Sequence, residues 1–350
     1  MTALIKPIVY FSVMNSNRGD QAIRAGVTAQ LKARIETPIA YFSCRNDLLT
    51  PKLIKQLNEE ASIILIAGSG LYSNYDLESG FYFRCNPKNL NMIEIPIAFY
   101  SIGMNNHLEM DRFGPLKNET LESIREFNNL ASYSSARDFR TLNMLHKIGI
   151  KKAKFTPDPA MFCPLKPWLI NENDKIVGLS IAQHADMLKH YRPKLIEIFG
   201  EICRHLKKDG YKTIFIAHDA LEHNIYEDLI REFPELIYYN RDGVEEMMSL
   251  YSMLDFTVGV RCHSNIMSFG AGTPFVCLAY DHKQIEFCKV VNMSPYLIKI
   301  NKDIVVEQVI DKIEYLQDNP EELRSTMNKR KKELWKIHKE SMSKIVELIK

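Results

Sequence analysis

No apolar run in this 350-residue chain approaches the ~20 residues needed to span a bilayer, so membrane contact is expected to be peripheral at most. The apolar opening from Pro7 to Met14 is short and passes straight into Asn15-Ser16-Asn17-Arg18-Gly19-Asp20 without a small-residue cleavage site. It therefore reads as a buried first strand rather than a signal-peptide core. The seven cysteines, Cys44, Cys85, Cys163, Cys203, Cys262, Cys277 and Cys288, form no CxxC pair and lack the density of a secreted disulfide scaffold. Reduced thiols in a cytoplasmic protein are expected. Charge of one sign is scarce too: 45 Lys and Arg face 43 Asp and Glu, a formal +2, which cannot provide the broad basic field of a nucleic-acid binder. There is no HExxH and no paired Cys/His spacing, so no metal site is expected. Neither low-complexity tracts nor repeats with a period of roughly 20–50 residues occur.

What is present is an ordinary globular composition, 46% hydrophobic and 25% charged, long enough for two domains at about 150 residues each. Short Ile-, Val- and Phe-rich runs alternate with longer segments of helical period, the pattern of parallel sheets covered by helices. In the first half the strand candidates are 8–13, 39–43, 62–67, 97–101 and 131–134. In the second they are 176–181, 213–217, 256–258, 275–278 and 296–298, among helices at 194–208, 222–232 and 244–251. Clustered prolines from Pro157-Asp158-Pro159 through Pro164 to Pro167 predict an extended connection and a hinge there. The expected units are residues 1–165, 166–325 and a C-terminal helix over 326–350.

In doubly wound sheets, ligands bind beyond the carboxyl ends of the strands, where loops enter helices. The richest such window is Gly259-Val260-Arg261-Cys262-His263-Ser264-Asn265, a strand end followed by a helix start. Arg261 there can hold a carboxylate or phosphate through two parallel bonds, and His263 can exchange a proton near neutral pH. The plainer alternative is a surface arginine and a histidine that caps its own helix. Ser135-Ala136-Arg137-Asp138 repeats the arrangement, with Arg137 as a second anion ligand or merely the partner of Asp138. Lys283, in Tyr280-Asp281-His282-Lys283, follows His263 by one strand and its loop and can reach the same pocket, or else lies exposed on its helix. Asn17, Gly19 and Asp20, and the Gly68-Ser69-Gly70 turn, occupy the corresponding strand ends of the first half without completing a P-loop or GxGxxG; small residues in tight turns account for them equally well.

Taken in order, the Asn17-x-Gly19-Asp20 turn, Gly68-Ser69-Gly70, Ser135-Ala136-Arg137-Asp138, Asp158-Pro159-Ala160, Arg261-x-His263 and Tyr280-Asp281-x-Lys283 resemble the polysaccharide pyruvyl transferase family over about residues 8–290. The resemblance implies an α/β fold of two Rossmann-like domains facing across a cleft, the glycosyltransferase-B arrangement, with the acceptor on the first domain and the donor on the second. It also implies transfer of the enolpyruvyl unit of phosphoenolpyruvate, as a donor substrate with no further cofactor, onto two sugar hydroxyls as a cyclic ketal. In this reading Arg137 and Arg261 bind the donor anion, His263 is the acid and base, and Lys283 assists at the phosphate or carboxylate. Asn17, Gly19, Asp20, Gly68, Ser69, Gly70, Ser264 and Asn265 complete the substrate contacts.

The chain departs from the common family pattern in a less glycine-rich Gly68-Ser69-Gly70 loop and in Met104-Asn105-Asn106-His107, where many members carry a proline-containing turn. The tail from Lys329 to Lys350 carries +5, leaving −3 on everything before it. It places Leu334, Ser341, Met342, Ile345, Leu348 and Ile349 on one stripe, an amphipathic helix expected to pack back on the protein. With a lipid-linked glycan acceptor, its lysines could also touch anionic headgroups at the inner face of the membrane. Two other functions fit the same pattern: a nucleotide-sugar glycosyltransferase and a sugar-binding protein without turnover.

Overall fold

The computed structural model describes residues 5–108, 115–166, 174–183, 186–241 and 243–349. Pro167 of the proline-bearing connection and the terminal Lys350 lie outside the described residues. The first sheet contains β1 (Ile8–Ser12), β2 (Ile39–Ser43), β3 (Ile63–Ala67), β4 (Ile97–Ile102), β5 (Tyr133–Ala136) and β6 (Lys154–Phe155), in the order β2-β1-β3-β4-β5-β6. Its helices are α1 (Arg18–Lys32), α2 (Pro51–Glu60), α3 (Asn118–Leu130) and α4 (Phe139–Lys147). Every pairing is parallel, so each crossover is helical or a long loop. Both faces are covered, and β1 and β3 are buried along their whole length.

The second lobe runs β7 (Ile176–Ser180), α5 (Asp186–Lys208), β8 (Lys212–Ile216), α6 (His223–Ile230), β9 (Ile237–Tyr239), α7 (Val244–Ser252), β10 (Phe256–Gly259), α8 (Cys262–Ala271), β11 (Phe275–Ala279), α9 (His282–Val290) and β12 (Leu297–Lys299). Its strand order is β12-β11-β10-β7-β8-β9, again parallel throughout. Then follow α10 (Val306–Asp318) and α11 (Pro320–Ile349). In each sheet the order reverses at one point, between β1 and β3 and between β7 and β10. The loops after those strands diverge and leave a crevice.

Several boundaries differ from the sequence reading. The strand expected at 131–134 lies two residues later, because Ser134, Ser135 and Ala136 are the buried part of the run. Strands β6 and β9 were not expected; each is only two or three residues long and sits at a sheet edge, too short for a periodic signal. Helix α5 runs through Pro193 instead of starting after it.

The proline connection is also not extended. Pro159–Phe162 forms a 3₁₀ turn whose N-cap Asp158 accepts from the Ala160 amide at 2.9 Å, with Pro159, Ala160 and Met161 buried. Ala160 and Met161 join the second lobe's core together with Ala22 and Ile23 of α1, so the apolar packing is continuous between the lobes. Gly26 of α1 is needed for this. A Cβ there would lie 2.2 Å from the Pro159 carbonyl oxygen, well inside any real contact.

Helix α11 leaves the second lobe and returns to the first. Leu334, Ser341, Met342 and Ile345 of the stripe are buried, Met342 and Ile345 in the cluster that contains Ile8, Tyr10 and Leu65. The Tyr100 hydroxyl and His338 Nδ1 lie 2.9 Å apart, and Thr156 Oγ1 donates to Ser341 Oγ at 2.8 Å. The apolar stripe is thus taken up by the protein itself. No helix among the described residues is long and apolar enough to cross a membrane.

Candidate active site

The strand ends of both lobes face one another around a cavity of about 220 Å³, lined by residues that include Asn17, Asp20, Ser69, Gly70, Arg137, Arg261, His263 and Lys283. Eight of the twelve expected site residues thus share one hollow.

The turn from β10 into α8 places Arg261 and His263. Ser264 Oγ donates to the Arg261 carbonyl at 2.7 Å, and Asn265 Nδ2 to the carbonyls of Gly259 and Arg261 at 3.2 Å each. Gln284 Nε2 holds the Val260 carbonyl at 2.7 Å. Ser264 and Asn265, expected to touch substrate, are therefore turned into the fold and brace the loop. Arg261 is nearly fully buried and pairs with Glu222 Oε1 at 2.9 Å. Glu222 also accepts from the His218 amide at 2.7 Å, and burial pushes its carboxyl up to about 7 despite the pull of Arg261.

His263 does not cap its own helix. Its Nε2 is a buried nitrogen that makes no hydrogen bond among the described residues. Burial first, then the neighbouring charges of Arg137 and Lys283, hold its pKa well below the usual imidazole value, so the resting ring is neutral. The ring packs on α1, where a Cβ at Gly19 would lie 2.2 Å from its Cγ and Nδ1. Gly19 is thus the place where the helix start of one lobe meets the imidazole of the other. The Arg18 amide beside it donates to the His218 carbonyl at 3.0 Å.

Arg137 is not paired with Asp138. Its Nη1 donates to Asp158 Oδ2 at 2.9 Å, both groups buried, while Asp138 caps α4 by accepting from the Thr141 amide and hydroxyl at 2.7 and 2.9 Å. Lys283 is not exposed on its helix either. Its Nζ lies 3.6 Å from Asp281 Oδ2, 3.5 Å from Asn105 Oδ1 and 5.6 Å above the Tyr280 ring. Tyr280 and Asp281 hold it charged against the cost of burial.

On the first lobe, Asn17 caps α1 by accepting from the Gly19 amide at 2.9 Å. Asp20 accepts from Ser69 Oγ at 2.9 Å and Asn15 Nδ2 at 3.2 Å, and burial raises its pKa. Gly68 and Ser69 both have positive φ and turn Ser69 toward Asp20; Gly68 itself lies behind the wall against Ile23. Sequence reasoning missed Asn15, Tyr75, Tyr82, Asn105 and Tyr280 in the lining, and Asp158 and Glu222 as charge partners. Asn105 belongs to the 104–107 segment that departs from the family pattern. That departure was the available signal: the segment docks onto the second lobe through His282 N to Asn106 O (3.0 Å) and Leu108 N to Tyr280 O (3.1 Å).

This geometry, cations and one imidazole from two facing parallel sheets, accompanies a sequence match. The model for polysaccharide pyruvyl transferases matches residues 17–282. The chain belongs to the polysaccharide pyruvyl transferase family. No curated protein matches it. Among solved structures the chain is similar in fold to the S. aureus MnaA–UDP co-structure, at 14% identity and TM-score 0.61 over 92% of this chain and 90% of that one. A putative UDP-N-acetylglucosamine 2-epimerase from Listeria monocytogenes gives 11% identity and TM-score 0.60 over 92% and 90%. A UDP-glucosyltransferase from Polygonum tinctorium gives 8% identity and TM-score 0.60 over 100% and 99%. At such identities the likeness is one of fold: two parallel-sheet α/β domains of the glycosyltransferase-B type. Membership of the family makes the protein a transferase.

Proposed function

We propose that this protein transfers the enolpyruvyl unit of phosphoenolpyruvate onto two hydroxyls of a sugar, forming a pyruvate ketal and releasing phosphate. The observation that carries this reading is the small cavity in which Arg137, Arg261, Lys283 and His263 meet. Its ~220 Å³ is below the ~300–1,000 Å³ typical of pockets for drug-sized ligands. The contact of Gly19 with His263 and the bond from Arg18 to His218 join the lobes beside this cavity. A three-carbon donor with a carboxylate and a phosphate suits such a space better than a nucleotide sugar does.

The chemistry follows from the side chains. Three buried cations fix both anionic ends of the donor and stabilise the charge that collects on phosphate as it leaves. His263 is neutral at rest; a bound polyanion offsets the surrounding cations and raises its pKa, giving the imidazolium that protonates the donor methylene carbon. One sugar hydroxyl then bonds to the central carbon and yields its proton to the regenerated imidazole. Phosphate departs, and the second hydroxyl closes the ring. Of the two hydroxyl protons, one is balanced by the proton now on the methyl carbon and the other leaves with phosphate. In this reading Asp20, which lines the cavity with its carboxyl held by Ser69 and Asn15, takes the proton of the second hydroxyl and passes it to the phosphate before that leaves the site.

Thermal unfolding with added ligands tests this. Phosphoenolpyruvate should raise the melting temperature, and with a suitable sugar it should give a product heavier by the pyruvyl group and one phosphate per turnover. Protection by a uridine-diphosphate sugar but not by phosphoenolpyruvate would instead support a nucleotide-sugar glycosyltransferase.

A further inference from the structure

We propose that Tyr75 and Tyr82, with the amides of Asn15 and Asn105, form the subsite that receives the acceptor, and that they hold the pyranose ring of a hexose or N-acetylhexosamine by its C–H face and hydroxyls. The inference rests on the transfer reading above and adds to it the residues and class of the second substrate.

The loop between β3 and the 3₁₀ turn at Pro87–Met92 is built rather than slack. In the stretch Phe81-Tyr82-Phe83, the two phenylalanines are fully buried and meet Phe127 edge-on at 5.1 and 5.8 Å. The Phe83 amide donates to the Phe81 carbonyl at 2.7 Å in a tight turn, and Tyr82 between them is half-buried and lines the cleft. Its amide donates to the Leu71 carbonyl at 3.0 Å, and the Tyr75 amide to the Gly80 carbonyl at 3.3 Å. The rings of Tyr75 and Tyr82 pack at 62° with centroids 4.5 Å apart. They present a pre-set amphipathic surface to the cavity.

Charge divides the hollow. Arg137, Arg261, Lys283 and His263 gather on one side, whereas the first lobe's remaining lining is Val13, Asn15, Asn17, Ser69, Gly70, Asn105 and the two tyrosines, with Asp20 as its carboxylate. The exposed Arg45 stands beside the Tyr82 hydroxyl, so the wall is not without a cation, and what its tyrosines and amides suit is the sugar ring itself. Aromatic faces cover the C–H face of a sugar ring, and amides exchange hydrogen bonds with its hydroxyls. Asn105 also ties the two halves together: its Nδ2 donates to the Gly70 carbonyl at 2.9 Å, and its Oδ1 lies 3.5 Å from Lys283 Nζ.

The test is saturation-transfer NMR with p-nitrophenyl hexosides and N-acetylhexosaminides on the full-length protein, which detects sugar binding without turnover. Wild type should show contact to ring protons of at least one member. Tyr82→Ala and Tyr75→Ala should weaken that binding about tenfold, Tyr82→Phe and Tyr75→Phe should retain it, and all four should keep the circular dichroism spectrum and the phosphoenolpyruvate-induced melting shift of wild type. Wild type that contacts no member of the panel, or alanine variants that bind as wild type does, would overturn the subsite. Phosphoenolpyruvate is titrated separately, so absence of its melting shift would remove the donor reading while the sugar result stands by itself.

Discussion

The buried ionisable side chains of the cleft have opposite effects on stability and on chemistry as pH changes. Glu222, pushed up to about 7, keeps its proton in the folded state over a range where the unfolded carboxyl, near 4.5, has released it. The folded state therefore binds the extra proton, and this group's contribution to stability should decline as pH rises from about 4.5 to 7. Urea midpoints across that interval should fall for wild type relative to Glu222→Gln; the reverse slope would contradict the assignment. His263 and His218 act at the other end. Their folded values are depressed, so stability is lost as the pH falls below the ordinary imidazole range. For catalysis, His263→Ala should retain the fold while product formation falls by roughly 10²–10⁴. Wild-type kcat should decline toward alkaline pH with a pKa above that of free His263 followed by NMR, because the donor raises it. A profile flat between pH 5 and 8 would argue against His263 as the proton source.

At the scale of elements, much of the site was legible because strand ends in parallel sheets are where helices begin and amides point outward. Arg261, His263, Arg137 and Lys283 could all be named from that rule and their residue types. Their counter-charges could not: Glu222, read as the first residue of a helix over 222–232, ends a 3₁₀ turn at Ala220–Glu222, and Asp158 was visible as part of a motif but not as the partner of Arg137. Ser264 and Asn265 were placed in the site by proximity in sequence, but the helix turns them 100° and more away from His263. The prolines from Pro157 through Pro164 to Pro167 were read as an extended connection and hinge because proline breaks regular structure; Pro159–Phe162 is instead a buried 3₁₀ turn wedged against α1 and α8. Gly26→Ala should accordingly destabilise the protein by about 1–3 kcal/mol through overpacking, as read from denaturant unfolding. The tail's apolar stripe was visible, and its target was not. Met342→Ala should cost about 2–5 kcal/mol in the same measurement, because that side chain is fully buried against β1 and β3.

For the whole molecule, each lobe has a core, but the packing is shared at the seam between them. Ala22 and Ile23 from the first complete the second's, and α11 from beyond the second completes the first's. Calorimetry should therefore show one transition with matching calorimetric and van't Hoff enthalpies, and two separated transitions would refute this coupling. The chain also crosses between the lobes twice, at the 3₁₀ turn and along α11. The crossings touch, with Phe162 4.9 Å from Trp335 and 4.6 Å from His338, ring to ring. Away from these adjacent straps the lobes are also stitched by the backbone bonds Arg18 to His218, His282 to Asn106 and Leu108 to Tyr280. On the proposed reaction, any widening of the cleft to admit substrates has to unfasten those three stitches while the paired straps stay shut.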